Sequence, residues 1–427
     1  MNNNIKIAVI GLGYVGLPLA LELSNYYKTI GYDINKTRID SLINNFDENY
    51  EFNRKFLKKF KNIKFTSIKD DLKDNNYYII CLPTPLFKNK NPDLTAVKKS
   101  IKLIAKYLKT NDMVILESTV FPGVSENICV PLLENHSNLK LITDINKVGF
   151  YFGYSPERVN PGDKKRTIRN IKKIVSSNSI IGLQKISKIY KKIITAGIYK
   201  IQNIKLAESS KIIENVQRDV NIALINEFTN IFQNEEFSIH DLLEASGTKW
   251  NFLKFSPGLV GGHCIGVDPY YLSYWAQKNK KNPKIILAGR ETNDLMYKNI
   301  IKKIKNISFE KKIFLKKSKI LLMGYTFKED CSDIRNTQIK KLLLGFSKIS
   351  HKVNVFDPIA NLKNLENNVS KFFIKEPKIN FYDIVVICVN HKEFKKIGFK
   401  NIKKFTKENS FIFDLKKCFN NKEIYYL

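Results

Sequence analysis

Residues 6–33 constrain the fold more than any other stretch of the chain. Lys6-Ile-Ala-Val-Ile10 is a short β-branched run that breaks at once into Gly11-Leu12-Gly13-Tyr14-Val15-Gly16. Leu17–Leu23 then carries apolar residues at helical spacing. In a strand that turns through glycines into a helix, each glycine has its own task. Gly11 permits the tight turn, Gly13 lets a pyrophosphate reach the backbone, and Gly16 lets the helix close on the strand. The free N–H groups at the helix start would hold the phosphates. A second strand, Lys28–Tyr32, ends at Asp33, where an acid meets a ribose 2′-hydroxyl. An acid there repels a 2′-phosphate, so the pattern favours NAD over NADP. Arg38 is read as lying against the adenine or ribose edge.

Further strands follow at βαβ spacing. Tyr77–Leu82 ends in Pro83-Thr84-Pro85, and Met113–Leu116 ends in Glu117-Ser118-Thr119-Val120, with a helix over Leu94–Leu108 between them. Ligands of doubly wound sheets bind at such strand ends, which marks Thr84 and Thr119, although turn chemistry alone would also place threonine there. Gly153–Gly162 reads as a loop from its Pro and Gly content. Within it Glu157 and Arg158 are either an exposed ion pair or an acid/base group beside a phosphate or sugar.

From Lys205 to Phe232 no Gly or Pro interrupts an amphipathic helical pattern. Lys211 and Asn215, four apart, share one face of it. A helix over Ile239–Ala245 leads to Gly258-Leu-Val-Gly261-Gly-His263-Cys264-Ile-Gly-Val267-Asp268-Pro-Tyr-Tyr-Leu272, a thiol behind glycines with a carboxylate four residues on. Tyr271–Lys278 and Ala288–Ile304 read as helices, the second carrying Arg290. The last third then echoes the first. Lys319–Gly324 resembles Lys6–Gly11, Val353–Asp357 resembles Thr29–Asp33, Asp383–Cys388 resembles Tyr77–Cys81, and Ser410–Asp414 resembles the Met113 strand. The expected architecture is therefore α/β, with two Rossmann-like doubly wound domains joined by a long central helix. The boundaries are drawn at 1–198 for NAD binding, 199–297 for the helical middle and 298–427 for the second Rossmann-like domain. The second half lacks GxGxxG but places Lys328 and Arg335 near its first strand end, which suits a different anion such as a nucleoside diphosphate on the substrate.

Composition removes other classes. The formal charge is +32, yet only eight of the 72 basic residues are Arg and the lysines are dispersed. Nucleic-acid sites favour Arg's bidentate fork, so no nucleic-acid partner is expected. Six cysteines, at 81, 129, 264, 331, 388 and 418, form no CxxC pair and have no His at zinc spacing, so no metal is expected. No apolar run reaches membrane-spanning length, and the N-terminus lacks a signal-peptide pattern, so a cytoplasmic protein with no membrane insertion is expected.

The motifs Glu117–Gly123, Gly153–Asp163 and Gly261–Leu272 resemble those of the UDP-glucose/GDP-mannose dehydrogenase family, in the branch acting on UDP-N-acetylhexosamines, and matching pieces run from Gly11 to Asp414. That resemblance implies oxidation of a sugar C6 alcohol to a carboxylate with two NAD+ and one water, in the service of surface polysaccharide. It implies Cys264 as nucleophile, Lys211 as stabiliser of alkoxide charge with Asn215 beside it, Asp268 with Thr119 as orienters of water, and Glu157 as acid/base. It places Gly11, Leu12, Gly13, Tyr14, Val15, Gly16, Asp33, Arg38, Thr84, Thr119 and Arg335 on the cofactor. On the UDP-sugar it places Glu157, Arg158, Lys211, Asn215, Lys254, Gly258, Gly261, Lys328 and Arg290, the last reaching toward a partner subunit. Val267 stands where UDP-glucose enzymes carry lysine, which points to UDP-N-acetylglucosamine or UDP-N-acetylgalactosamine, with UDP-N-acetylmannosamine or UDP-glucose as alternatives. A homodimer through the long helix is implied as well. A two-electron β-hydroxyacid dehydrogenase shares the first half only; it has no use for the thiol or for the echo over 319–414.

Overall fold

The computed structural model describes residues 5–49, 51–159, 165–262, 265–362 and 365–427. It divides into two compact units, Met1–Glu214 with Tyr270–Lys281, and Asn215–Pro269 with Asn282–Leu427.

The first unit is built on eight strands: β1 (Lys6–Ile10), β2 (Lys28–Tyr32), β3 (Ile63–Thr66), β4 (Tyr77–Ile80), β5 (Met113–Leu116), β6 (Tyr151–Tyr154), β7 (Lys173–Ser177) and β8 (Ile198–Ile201). Their order in the sheet is β3-β2-β1-β4-β5-β6-β7-β8. Pairing is parallel from β3 to β6, antiparallel between β6 and β7, and parallel again to β8. Every residue of β4 and β5 is buried. Such strands lie under helices on both faces, so their sequences run apolar instead of alternating. Chain order reverses between β1 and β4, the switch point at which these sheets open a crevice. The loop expected from Gly153 onward starts two residues later, because Tyr151–Tyr154 is β6. Gly153 serves close packing there: a Cβ would stand 2.8 Å from the Ser176 carbonyl oxygen of β7.

The second unit carries β9 (Lys319–Met323), β10 (Lys352–Phe356), β11 (Tyr382–Ile387), β12 (Thr406–Asp414) and β13 (Ile424–Tyr426), all parallel, in the order β10-β9-β11-β12-β13. The echo read from sequence is an echo of hydrogen bonds. Gly11 N–H donates to Tyr32 O at 2.9 Å, and Gly324 N–H to Phe356 O at 2.9 Å. Cys81 N–H donates to Ile10 O at 2.8 Å, and Cys388 N–H to Met323 O at 2.8 Å. Gly11 and Gly324 both have φ +92°, a conformation closed to most side chains. The fold is therefore α/β with two Rossmann-like sheets, and a helix of 28 residues, Ile204–Ile231, lies between them in the chain.

That helix leaves Leu206, Ile213, Leu224 and Ile231 exposed in one stripe. The helix expected over Ala288–Ile304 runs further at both ends, Lys284–Glu310, and the one expected from Tyr271 starts at Asp268. No helix among the described residues is long and apolar enough to cross a membrane.

Candidate active site

In the first unit the glycine loop has the shape its sequence demands. A Cβ on Gly16 would stand 1.8 Å from the Gly11 carbonyl oxygen, and one on Gly11 would stand 2.7 Å from that of Cys81. A Cβ on Gly13 would meet nothing within 4 Å. Two glycines are thus required by packing, while the third faces open space, as a site for an incoming pyrophosphate should. The Asp33 carboxylate accepts the amides of Leu12 and Asn35, each at 2.9 Å. A carboxylate offers about four lone-pair sites, so a ribose hydroxyl can still be received. These residues fit a dinucleotide. Arg38 sits behind the loop, not on it: Nε donates to Leu12 O at 3.0 Å and one terminal nitrogen pairs with buried Asp47 at 2.7 Å. Tyr14 and Val15 are half-buried at the turn.

The turns after β4 and β5 are tied together, with Thr84 Oγ1 donating to Thr119 O at 2.7 Å. The Thr119 turn is also held from the long helix. Glu208, fully buried, accepts the amides of Gly123 at 2.5 Å and Ser125 at 2.9 Å. Burial pushes its carboxyl up to about 7 against the pull of those amides. Lys211, one helical turn on, is also buried, and among the described residues no carboxylate is paired with it. An ammonium out of water calls for an anion. Arg158 pairs with Glu214 at 2.6 Å and donates to Lys172 O at 3.1 Å.

Glu157 is more constrained than its loop sequence implied. Its Oε1 accepts the amides of Arg158 and Val159, each at 2.7 Å, and its Oε2 lies 3.1 Å from Lys173 Nζ. The same ammonium is 3.0 Å from Glu117 Oε2, and the Tyr190 hydroxyl donates to Glu117 Oε1. Burial would raise the Glu157 carboxyl, but Lys173 and the two amides outweigh it and hold it below the ordinary value. Glu117, deeper, is raised by burial. Lys173 escaped the sequence reading because a single lysine opening a strand carries no signal.

In the second unit Asn215 donates to the buried Asp268 carboxylate. Gly258, at φ +136°, is clamped by Asn226, which accepts its amide at 2.8 Å and donates to its carbonyl at 3.0 Å. A Cβ there would stand 2.6 Å from Lys416 Nζ, and one on Gly261 would stand 2.8 Å from Asn336 O. Lys416 donates to Pro257 O at 3.1 Å, and burial lowers its ammonium's pKa. Gly261, Phe327, Lys328 and Lys416 line one cavity of about 80 Å³. Sequence reading had named Gly261 and Lys328 but missed Lys416. Lys254 is exposed. Arg335 grips Asp333 with both arms, at 2.9 and 2.7 Å. Arg290 is 2% exposed, with one arm on Asp219 at 2.6 Å and the other on Asp294 at 2.7 Å.

Asp357 occupies the place in this sheet that Asp33 has in the other. It accepts amides from Tyr325 at 2.6 Å, Thr326 at 3.2 Å, and Ile359 and Ala360 at 3.0 Å, and His391 Nε2 lies 3.4 Å away. Its side chain is wholly buried. Among the described residues Asp330, His391 and Glu393 bring ligand-type atoms within 4.8 Å of one another, but His391 Nδ1 is used by the Asp330 amide at 3.0 Å. His263 and Cys264 lie outside the described residues. Of the other cysteines, 81, 129, 331 and 388 are buried, and burial pushes the thiols of Cys81 and Cys388 well up.

The chain matches the UDP-glucose/GDP-mannose dehydrogenase family in three parts: the NAD binding domain over residues 5–194, the central domain over 205–295 and the UDP binding domain over 321–421. It is 44% identical to UDP-N-acetyl-D-glucosamine 6-dehydrogenase of Salmonella typhi over 97% of this chain and 96% of that protein. It is 43% identical to the protein of that name from Pseudomonas aeruginosa, over 97% of each. Among solved structures, UDP-D-ManNAc dehydrogenase from Pyrococcus horikoshii superposes with a TM-score of 0.86 at 27% identity, over 99% of both chains.

Proposed function

The chain belongs to the UDP-glucose/GDP-mannose dehydrogenase family, and from that premise we propose that it oxidises the C6 hydroxyl of UDP-N-acetylglucosamine to the uronic acid, with NAD+ as acceptor. The observation that carries this reading is the likeness over 97% of the chain, at 44% identity, to a protein named for that substrate. UDP-N-acetylgalactosamine is the nearest other substrate, one hydroxyl apart. The Pyrococcus protein named for UDP-ManNAc is less similar, at 27%.

Two NAD+, held in turn by the first domain, would each take up one of the two hydrides that leave C6. The chain supplies the rest. The Gly11–Gly16 loop and Asp33 hold the dinucleotide, with Thr84, Thr119 and Arg335 as further contacts. Lys211 carries positive charge toward the C6 oxygen, where an alkoxide develops; such a charge is worth a few kcal/mol in a dry site. Cys264 adds to the aldehyde as a thiolate, giving a thiohemiacetal that has a hydrogen to lose where the aldehyde's own oxidation would be harder. Loss of the second hydride gives a thioester, and water, oriented by Asp268 with Asn215, releases the carboxylate and the thiol. Glu157 moves or holds a proton in the last steps. Lys254, Gly258, Gly261, Lys328 and Arg158 serve the UDP-sugar; Arg290, expected to reach the sugar or a partner subunit, is instead buried with its two arms on Asp219 and Asp294 and has no such part. The functional division is 1–198, 199–297 and 298–427. We place the reaction in the cytoplasm, in the supply of uronic acid for surface polysaccharide, in a homodimer that covers the stripe Leu206, Ile213, Leu224 and Ile231.

The test is purified protein with NAD+ against a panel of UDP-sugars, counting NADH per sugar consumed. Two per sugar with UDP-N-acetylglucosamine supports the reading; one per sugar, or turnover only with UDP-glucose, sinks it. Cys264→Ser should lose uronic acid formation by about three orders of magnitude or more, since a hydroxyl is a poor nucleophile unaided.

A further inference from the structure

The buried group of Glu117, Glu157, Lys173 and Tyr190 has a topological cause. Glu117 follows β5 and Glu157 follows β6, so both lie at carboxyl ends of parallel strands. A neighbouring parallel strand would bring its own last residue to that edge. But β7 runs against β6, with Gly153 opposite Ser177 and Tyr154 opposite Ser176. Carried on, that register sets position 157 against position 173, the first residue of β7. The strand reversal therefore delivers a lysine where the sheet presents its ligand-facing ends. Both carboxylates take that one ammonium, at 3.0 and 3.1 Å, and it also lies over the Tyr190 ring at 5.2 Å.

Burying one ammonium between two carboxylates leaves the group one negative charge in excess. Such a charge is costly away from water unless every oxygen is engaged. Each is: Glu117 by Tyr190 and Lys173, Glu157 by two amides and Lys173. Of the two acids only Glu157 has access outward, with 10% of its side chain exposed against 0% for Glu117. We infer that Lys173 is a positioning residue for the proposed reaction, keeping the Glu157 carboxylate ionised and aimed while Glu117 holds the ammonium in place. The inference rests on the reading of Glu157 as the group that meets the sugar or its water. It gives Glu157 the resting state of an acceptor: a base already deprotonated, and not an acid waiting to give a proton.

The groups that face Glu157 and decide its charge are Lys173, Glu117 and the amides of Arg158 and Val159, with Tyr190 and Cys81 behind Glu117. Lys173→Met alone leaves two buried carboxylates without a cation and is expected to lower yield. The informative variant is Lys173→Met with Glu117→Gln, which restores the original net charge; Lys173→Arg is the conservative control. Intact NAD binding checks that each has folded. Titration of the carboxyl infrared band, assigned by its loss in Glu157→Gln, reads the ionisation of Glu157 without substrate. In the double variant its midpoint should rise by about one unit or more, with the midpoint of Lys173→Arg unmoved, since about one unit is what a close opposite charge sets. The acid limb of kcat with UDP-N-acetylglucosamine should rise with it, KM staying within about twofold. An unmoved infrared midpoint overturns the inference. A raised midpoint with an unchanged acid limb leaves Lys173 in control of the charge but refutes Glu157 as the reacting base.

Discussion

Gly13→Ala and Gly16→Ala, two substitutions three residues apart, should fail in opposite ways. At Gly13 the added methyl meets nothing within 4 Å, and the backbone has no positive φ. Replacing glycine by alanine at a compatible position stabilises by about 0.4–1 kcal/mol, through the unfolded chain. At Gly16 the methyl would stand 1.8 Å from a backbone oxygen that cannot rotate away. Overpacking costs about 1–3 kcal/mol and sometimes more, and this overlap belongs at the upper end. For a unit of this size about 1 kcal/mol moves the melting point by roughly 2–4 °C. Gly16→Ala should therefore melt roughly 6–12 °C lower, and Gly13→Ala about 1–4 °C higher than the parent. NAD affinity should behave the other way. Gly13→Ala puts a methyl in the space left for the pyrophosphate and should weaken binding at least about tenfold, about 1.4 kcal/mol. Thermal melts and calorimetric NAD titration on the same preparations read both quantities. If Gly13→Ala bound NAD like the parent, the loop would not be where the pyrophosphate sits. An unshifted melt for Gly16→Ala would refute the close approach of helix and strand.

Other outcomes follow from single contacts. Asp219→Ala leaves the buried Arg290 guanidinium with one carboxylate in place of two and should cost about 3 kcal/mol or more in urea unfolding. Glu208 has its carboxyl raised to about 7, so the folded state holds a proton that the unfolded chain releases near its ordinary value of 4.5. Its contribution to stability is greatest below 4.5 and is lost as pH climbs toward 7, by roughly 3 kcal/mol in all. Melts of Glu208→Gln against the parent from pH 5 to 8 should show the variant gaining ground as pH rises; a constant difference would contradict the raised carboxyl. Leu224→Arg, in the exposed stripe of the long helix, should convert a dimer to monomer in light scattering, with the melting point of dilute protein little changed.

What could be read in advance was local. Strand, turn and acid from Lys6 to Asp33 are contiguous, each step has one physical reason, and the structure reproduces them with their hydrogen bonds. The echo was legible for the same cause, since four short apolar runs fix four strands. What stayed hidden depends on register across the sheet or on distant partners. Lys173 matters only because β7 is reversed, which no spacing announces. Arg290 finds Asp219, 71 residues away, so its burial cannot be seen from its own helix. Gly153 looked like loop because glycine usually is, whereas here it lets two strands meet. Lys416 was one lysine among many until Gly258 put it beside a cavity.

The Asp357 carboxylate shows how a nucleotide fingerprint can be silenced with the backbone left intact. The turn at Gly324 repeats the dihedral and the cross-strand bond of Gly11, yet the acid that follows is saturated by four amides and an imidazole. A hydroxyl arriving there would find no lone pair to receive it. Likeness of shape thus says little about what a similar lobe recognises. The vacancy of an acceptor does, and it can be counted wherever coordinates place the donors.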